Sequence, residues 1–171
     1  MNKGSITLAD RYMHPLFFKE QEVELPRNGE EHALYSPLFQ PDLQATYHGY
    51  NPPWESFENW LEILLNEWNL LKEELQPLFE VRSKEAEPLM VKGLSLFYMM
   101  IYWSNGRAVD LNNWETSIKE LQVSFVNPVE RLSFIINRPS MYFSYRQLDE
   151  IFTELHKAIA KNQMIKNRKR T

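Results

Sequence analysis

Breakers of regular structure crowd one end of this chain. Pro15, Pro26, Gly29, Pro37, Pro41, Gly49, Pro52 and Pro53 punctuate residues 1–53. Each proline removes a backbone donor and turns the residue before it away from helical geometry. Long helices are therefore confined to the remainder of the chain. The first segment is still too apolar for a solvated tail, because Leu16, Phe17, Phe18, Leu34, Tyr35, Leu38, Phe39, Tyr47 and Tyr50 supply many anchors. Residues 1–50 are expected to form a largely irregular arm packed on a helical body. Pro-Leu-Phe recurs at Pro15, Pro37 and Pro77 at unequal intervals, which marks docking points rather than a structural repeat.

From Asn51 onward the apolar spacing turns helical. With Asn51 as a cap and proline in the first turn, Trp54, Phe57, Leu61, Leu64, Leu65, Trp68, Leu71 and Leu75 advance in steps of three and four. Glu55, Glu58, Glu62, Asn66, Asn69 and Glu73 take the other face, and Pro77 is expected to end the helix. A second helix starts near Ala86, with Pro88 in its first turn, and runs through Leu94, Phe97 and Ile101 to a left-handed stop at Asn105-Gly106. Asp110 or Asn112 caps a shorter helix carrying Trp114, Ile118 and Leu121. Asn127-Pro128-Val129-Glu130 opens a fourth, broken at Arg138-Pro139, and Ser144 with Gln147 forms a capping box for a fifth through Ile159. No stretch reads as an alternating strand. The expected fold is all-α, an orthogonal or irregular bundle of about five helices, divided as arm 1–50, helical domain 51–160 and basic tail 161–171.

Several phrases of the helical part resemble the YpoC-like family of small bacterial proteins. They are Asn51-Pro52-Pro53-Trp54, Trp103-Ser104-Asn105-Gly106-Arg107, Asn112-Asn113-Trp114, and Asn127-Pro128-Val129-Glu130-Arg131-Leu132 leading into Asn137-Arg138-Pro139 and Gln147-Leu148. The resemblance spans roughly residues 51–157 and implies a cytoplasmic bacterial helical protein. It brings no catalytic signature, activity or cofactor with it.

Composition removes several chemistries. The chain has no cysteine, so disulfides, thiolate metal sites and cysteine nucleophiles are absent, and a reducing compartment, the cytoplasm, is the expectation. Residues 1–10 do not read as a secretory signal, and Leu94–Trp103 is far too short to span a bilayer. The five glycines are isolated, which leaves neither a phosphate-cradling loop nor a dinucleotide fingerprint, and no Gly-x-Ser-x-Gly turn occurs. His14, His32 and His48 stand near Glu30, Glu31 and Asp42 in sequence but lack metal-ligand spacing, and His156 stands alone. No metal or other cofactor is expected. Glu55, Glu58, Glu62, Glu73 and Glu74 read as a solvated acidic face.

Two candidates carry chemistry. In the first, Arg138, Tyr142, Tyr145 and Arg146 flank an interhelix corner, which Tyr102 and Trp114 are expected to join as a ligand or partner site. Its ordinary role is stapling two helices. In the second, Lys157, Lys161, Lys166, Arg168, Lys169 and Arg170 concentrate positive charge at one end of a chain of net charge −4, as suits nucleic acid or anionic lipid. The leading expectation is a non-enzymatic protein-interaction or adaptor domain. The alternatives are a nucleic-acid accessory protein acting through the tail, and a small-ligand binder or enzyme at the Arg138–Arg146 corner.

Overall fold

The computed structural model describes residues 3–28 and 32–170. It is predominantly helical, with an N-terminal region that is mostly irregular. That region holds one departure from the all-helical expectation, an antiparallel hairpin of β1 (Lys3–Thr7) and β2 (Glu22–Pro26), paired from Lys3 opposite Pro26 to Thr7 opposite Glu22. The signal for it was present in sequence. Ser5-Ile6-Thr7-Leu8 and Glu22-Val23-Glu24-Leu25 both alternate, and Leu8 and Leu25 are buried. A long loop with a 3-10 turn at Asp10–Tyr12 separates the strands, so no tight-turn signature flags the pairing.

Helix α1 (Gln40–His48) starts with Pro41 in its first turn and ends at Gly49, whose φ of 70° is the left-handed stop that glycine adopts without strain. The first two Pro-Leu-Phe phrases dock here against each other. Phe17 and Phe39 are buried and meet edge to face with centroids 5.2 Å apart, and Phe17 also meets Tyr98 at 5.7 Å.

Two short 3-10 turns, Pro53–Glu55 and Phe57–Asn59, precede α2 (Leu61–Glu80). The helix thus begins later than its apolar spacing suggested, because Asn51 makes no cap and the chain steps down through the turns first. It also runs past Pro77. In the last turn a proline forfeits only one bond, to the carbonyl of Glu73 on the exposed side, so the helix continues to Glu80. Leu64, Trp68, Leu71 and Leu75 form its buried stripe. They face α3 (Ala86–Ser104), which is buried nearly all round from Gly93 to Trp103.

The chain then folds through α4 (Trp114–Ser117), a 3-10 turn at Ile118–Glu120, α5 (Pro128–Asn137) and α6 (Tyr142–Lys169). Neither expected side-chain cap forms on the last two helices. Asn127 takes a left-handed conformation with no cap bond, and Ser144 lies inside α6, donating its hydroxyl to the Arg138 carbonyl at 2.5 Å. Ser144 therefore ties the corner from within the helix. Trp68, Phe97 and Phe152 join α2, α3 and α6: Trp68 stacks on Phe152 at 4.7 Å, Phe97 meets Phe152 edge-on at 5.3 Å, and the Trp68 indole N–H donates to Asp149 at 3.1 Å. Arg131 on α5 holds Glu154 on α6 at 2.7 Å. The segment after Lys161, expected as a tail, is the exposed end of α6. Among the described residues no helix is long and apolar enough to cross a membrane.

Candidate functional site

A cleft of about 720 Å³ lies where three parts of the helical body meet. One wall is the pair of 3-10 turns, with Trp54 half-buried and Glu55 and Glu58 exposed. The end of α6 also lines it, with Asn162, Gln163, Lys166 and Asn167, followed by Arg170 just past the helix. The floor is the end of α3, Ser104-Asn105-Gly106, beside Leu121–Val123. Two of the phrases that carry the family resemblance, around Trp54 and from Trp103 to Arg107, thereby reach one place.

Asn105 makes the floor rigid. Its amide donates to the carbonyls of Ile101 and Val123 at 2.8 Å each, and its side-chain oxygen accepts the Val123 N–H at 2.9 Å. Gly106 follows with φ 70°, and a Cβ there would meet nothing within 4 Å. At the rim Arg107 pairs with Glu120 at 3.3 Å, both side chains about half exposed, so the pair exchanges readily with solvent or ligand. Among the described residues no ion pair joins Glu55 or Glu58 to Lys166 or Arg170 across the cleft.

The residues of the expected aromatic-arginine corner do not all converge. Tyr102 is fully buried, donating to Ser117 at 2.9 Å and stacking on Tyr98, which also meets buried Trp114 edge-on. Burial raises the Tyr102 hydroxyl well above the ordinary tyrosine value, as suits a neutral donor. A different group assembles at the start of α6. Phe79 at the end of α2 meets Tyr142 at 5.9 Å and Tyr145 at 5.2 Å, while Arg138 and Arg146 are exposed. Interaction with the neighbouring Tyr142 hydroxyl holds the Arg146 guanidinium above its ordinary value. The consecutive Met141, Tyr142 and Phe143 are exposed by 40, 45 and 67%, an unusual share of surface for neighbouring large apolar side chains, and Val81, just past the end of α2, is exposed by 75%. Of the basic residues, Lys166 and Arg170 line the cleft, whereas Lys157, Lys161, Arg168 and Lys169 are exposed elsewhere on the end of α6.

The histidines do not gather. His14 lines a second cleft of about 550 Å³ with Trp114, Glu115, Ser133 and Asn137. Its Nδ1 accepts the Leu16 N–H at 3.1 Å, and burial lowers its pKa against the pull of Glu115. His48 lies against the Leu25 carbonyl and His32 against Trp60. Glu30 and Glu31 lie outside the described residues, and among those described no group of three or more His, Asp or Glu is placed to hold a metal ion.

One buried charge escaped the sequence reading. Asp42, fully enclosed at the start of α1, accepts the Tyr12 hydroxyl at 2.5 Å, the Trp103 indole N–H at 2.8 Å and the Val109 N–H at 2.9 Å. It joins the arm to the end of α3 and the loop behind the cleft floor. Burial pushes its carboxyl above the ordinary value, with the three bonds and the Arg11 charge pulling the other way. Only the lone Pro-Asp step at a helix start hinted at it.

Residues 58–167 match the family described as YpoC-like protein. A protein of Bacillus subtilis (strain 168) that bears the name Uncharacterized protein YpoC is 31% identical over 107 residues, a stretch covering 61% of this chain and 65% of that protein. No solved structure matches the chain. With the family pattern running over more than half its length, from the second 3-10 turn to the end of α6, the chain belongs to the YpoC-like family.

Proposed function

We propose that this protein is a non-enzymatic helical interaction module that docks a partner protein at the corner between the end of α2 and the start of α6. The observation that carries the reading is the run Met141-Tyr142-Phe143, exposed at the start of a well-anchored helix with the Phe79 ring of α2 against Tyr142. Rigid exposed rings lose little conformational freedom on binding and dominate interface energetics. Arg138 and Arg146, close in sequence to these rings, are exposed, and Asp149 and Glu150 act on Arg146 from within α6. That balance suits a partner segment with apolar anchors flanked by carboxylates.

The corner is tested by comparing the full chain with Phe143→Glu and Arg146→Glu in affinity capture from native cells at physiological salt. Thermal melts check that both variants stay folded. A partner recovered by the full chain is expected to be lost with Phe143→Glu and weakened with Arg146→Glu. Recovery that is the same for all three removes the corner from the interaction. Sedimentation velocity of the purified chain separates a foreign partner from a second copy, since self-association through the same rings would appear as a dimer abolished by Phe143→Glu.

A further inference from the structure

The cleft behind the α3 stop is chemically unlike the aromatic corner. Its lining carries both charges: Glu55 and Glu58 on the 3-10 turns, Lys166 and Arg170 at the end of α6, and the Arg107–Glu120 pair at the rim, and among the described residues no ion pair joins the first two groups. Trp54 offers an aromatic ring on the acidic side, and Asn162, Gln163 and Asn167 offer amides on the basic side. An occupant that is anionic at one end and presents a flat ring with hydrogen-bond donors at the other matches this lining.

From this we propose that the cleft binds a nucleotide, either free or as one unit of a single-stranded nucleic acid. The phosphate lies along the α6 wall, where Lys166 and Arg170 neutralise it and Arg107 can join by releasing Glu120. The base lies against Trp54, because stacking on an aromatic side chain accepts any base. Glu55 and Glu58 accept from the amino groups of the base, the geometry by which carboxylates select cytosine, adenine or guanine over a ring without such donors. The volume of about 720 Å³ falls within the range of small-ligand sites. Lys161 and Lys169, exposed near the same helix end, extend the positive surface beyond the cleft for a longer strand.

The test uses the full chain with two probes, a fluorescein-labelled single-stranded 12-mer of mixed sequence, as DNA and as RNA, and the four nucleoside monophosphates. Anisotropy and tryptophan fluorescence are followed at low and moderate salt. Binding is expected to weaken steeply with salt, to fall about tenfold or more in Lys166→Glu/Arg170→Glu, and to fall by a similar factor in Trp54→Leu. The charge variants sit on the exposed helix end, so they keep the test valid if Trp54→Leu fails to fold. Glu55→Gln/Glu58→Gln is expected to keep the oligonucleotide bound while narrowing the difference between bases that carry amino groups and uracil.

Competition identifies the source of the ligand. Displacement of the 12-mer by a monophosphate at comparable concentration assigns a free nucleotide, and displacement only by unlabelled strand assigns a unit within a chain. Two results overturn the proposal. One is no binding of any probe at low salt. The other is oligonucleotide binding that falls in Lys166→Glu/Arg170→Glu but is unchanged in a folded Trp54→Leu and shows no base preference altered by Glu55→Gln/Glu58→Gln, which is general attraction to a basic helix end.

Discussion

At the scale of single residues, Asp42 shows how one buried carboxylate organises a region. Removing it in Asp42→Ala leaves the Trp103 indole and the Val109 N–H without partners in the interior, whereas the Tyr12 hydroxyl keeps Thr46 at 2.8 Å. Two orphaned donors predict a loss of about 2–5 kcal/mol in urea unfolding. The isosteric Asp42→Asn keeps an acceptor for those two donors and cannot ionise, so it isolates the electrostatic cost. Burial raises the folded carboxyl above its unfolded value. Between those two values the folded state keeps a proton that the unfolded state has lost, and stability therefore falls as pH rises through the interval. This contribution is full below the unfolded value and gone above the folded one. The stability of the native chain minus that of Asp42→Asn is expected to decrease on raising pH from about 4, the ordinary carboxyl value. A difference that grows with pH would show the three hydrogen bonds outweighing desolvation.

At the scale of elements, α2 and α3 approach closely because one side chain is missing. A Cβ on Gly93 would stand 2.6 Å from the Trp68 ring and 3.2 Å from Leu148. Trp68 cannot retreat, since it stacks on Phe152 and bonds Asp149. Gly93→Ala gains helix propensity of about 1 kcal/mol. The overpacking penalty of about 1–3 kcal/mol opposes it and is expected to win, because the Trp68 ring is fixed on its far side. A lower denaturation midpoint with an unchanged slope is the outcome to look for, and a raised midpoint would mean that the ring yields. Elements also divide by how readily sequence exposes them. The α2 stripe of Leu64, Trp68, Leu71 and Leu75 and the Asn105-Gly106 stop were legible because periodicity and left-handed geometry are local properties. The hairpin was not, since its short alternating strands are paired across a long loop. Pro77 and Ser144 misled for a related reason: each residue type has a second use, and only the neighbouring turn decides which one operates.

At the scale of the whole molecule, the candidate sites were half legible. The phrases around Trp54 and Trp103–Arg107 were visible, but their meeting with Lys166 and Arg170 depends on the length and direction of α6, which local spacing does not encode. Tyr102 and Trp114 were grouped with Arg138 by chemistry alone, whereas burial sends them inward to Ser117 and Tyr98. The arm raises a sharper question. The family match begins at residue 58, yet Leu8, Tyr12, Phe17, Phe18, Leu25, Leu34, Phe39 and Leu43 are all buried in the common core. Each large apolar side chain buried contributes about 1.5–3 kcal/mol before the entropy of ordering the arm is subtracted, so removing the arm strips these contacts from the shared core and exposes the surface they cover. Asp42, which accepts the Tyr12 hydroxyl, also accepts the Trp103 indole N–H and so holds the end of α3 from the arm side. A chain of residues 51–171 is therefore expected to keep helical far-ultraviolet dichroism while losing its near-ultraviolet signal and cooperative melt and binding a hydrophobic dye. Adding residues 1–50 as a separate chain restores the melt if docking of the arm is the missing term. A cooperative melt of 51–171 alone would instead make the helical body an independent domain and the arm an attachment to it.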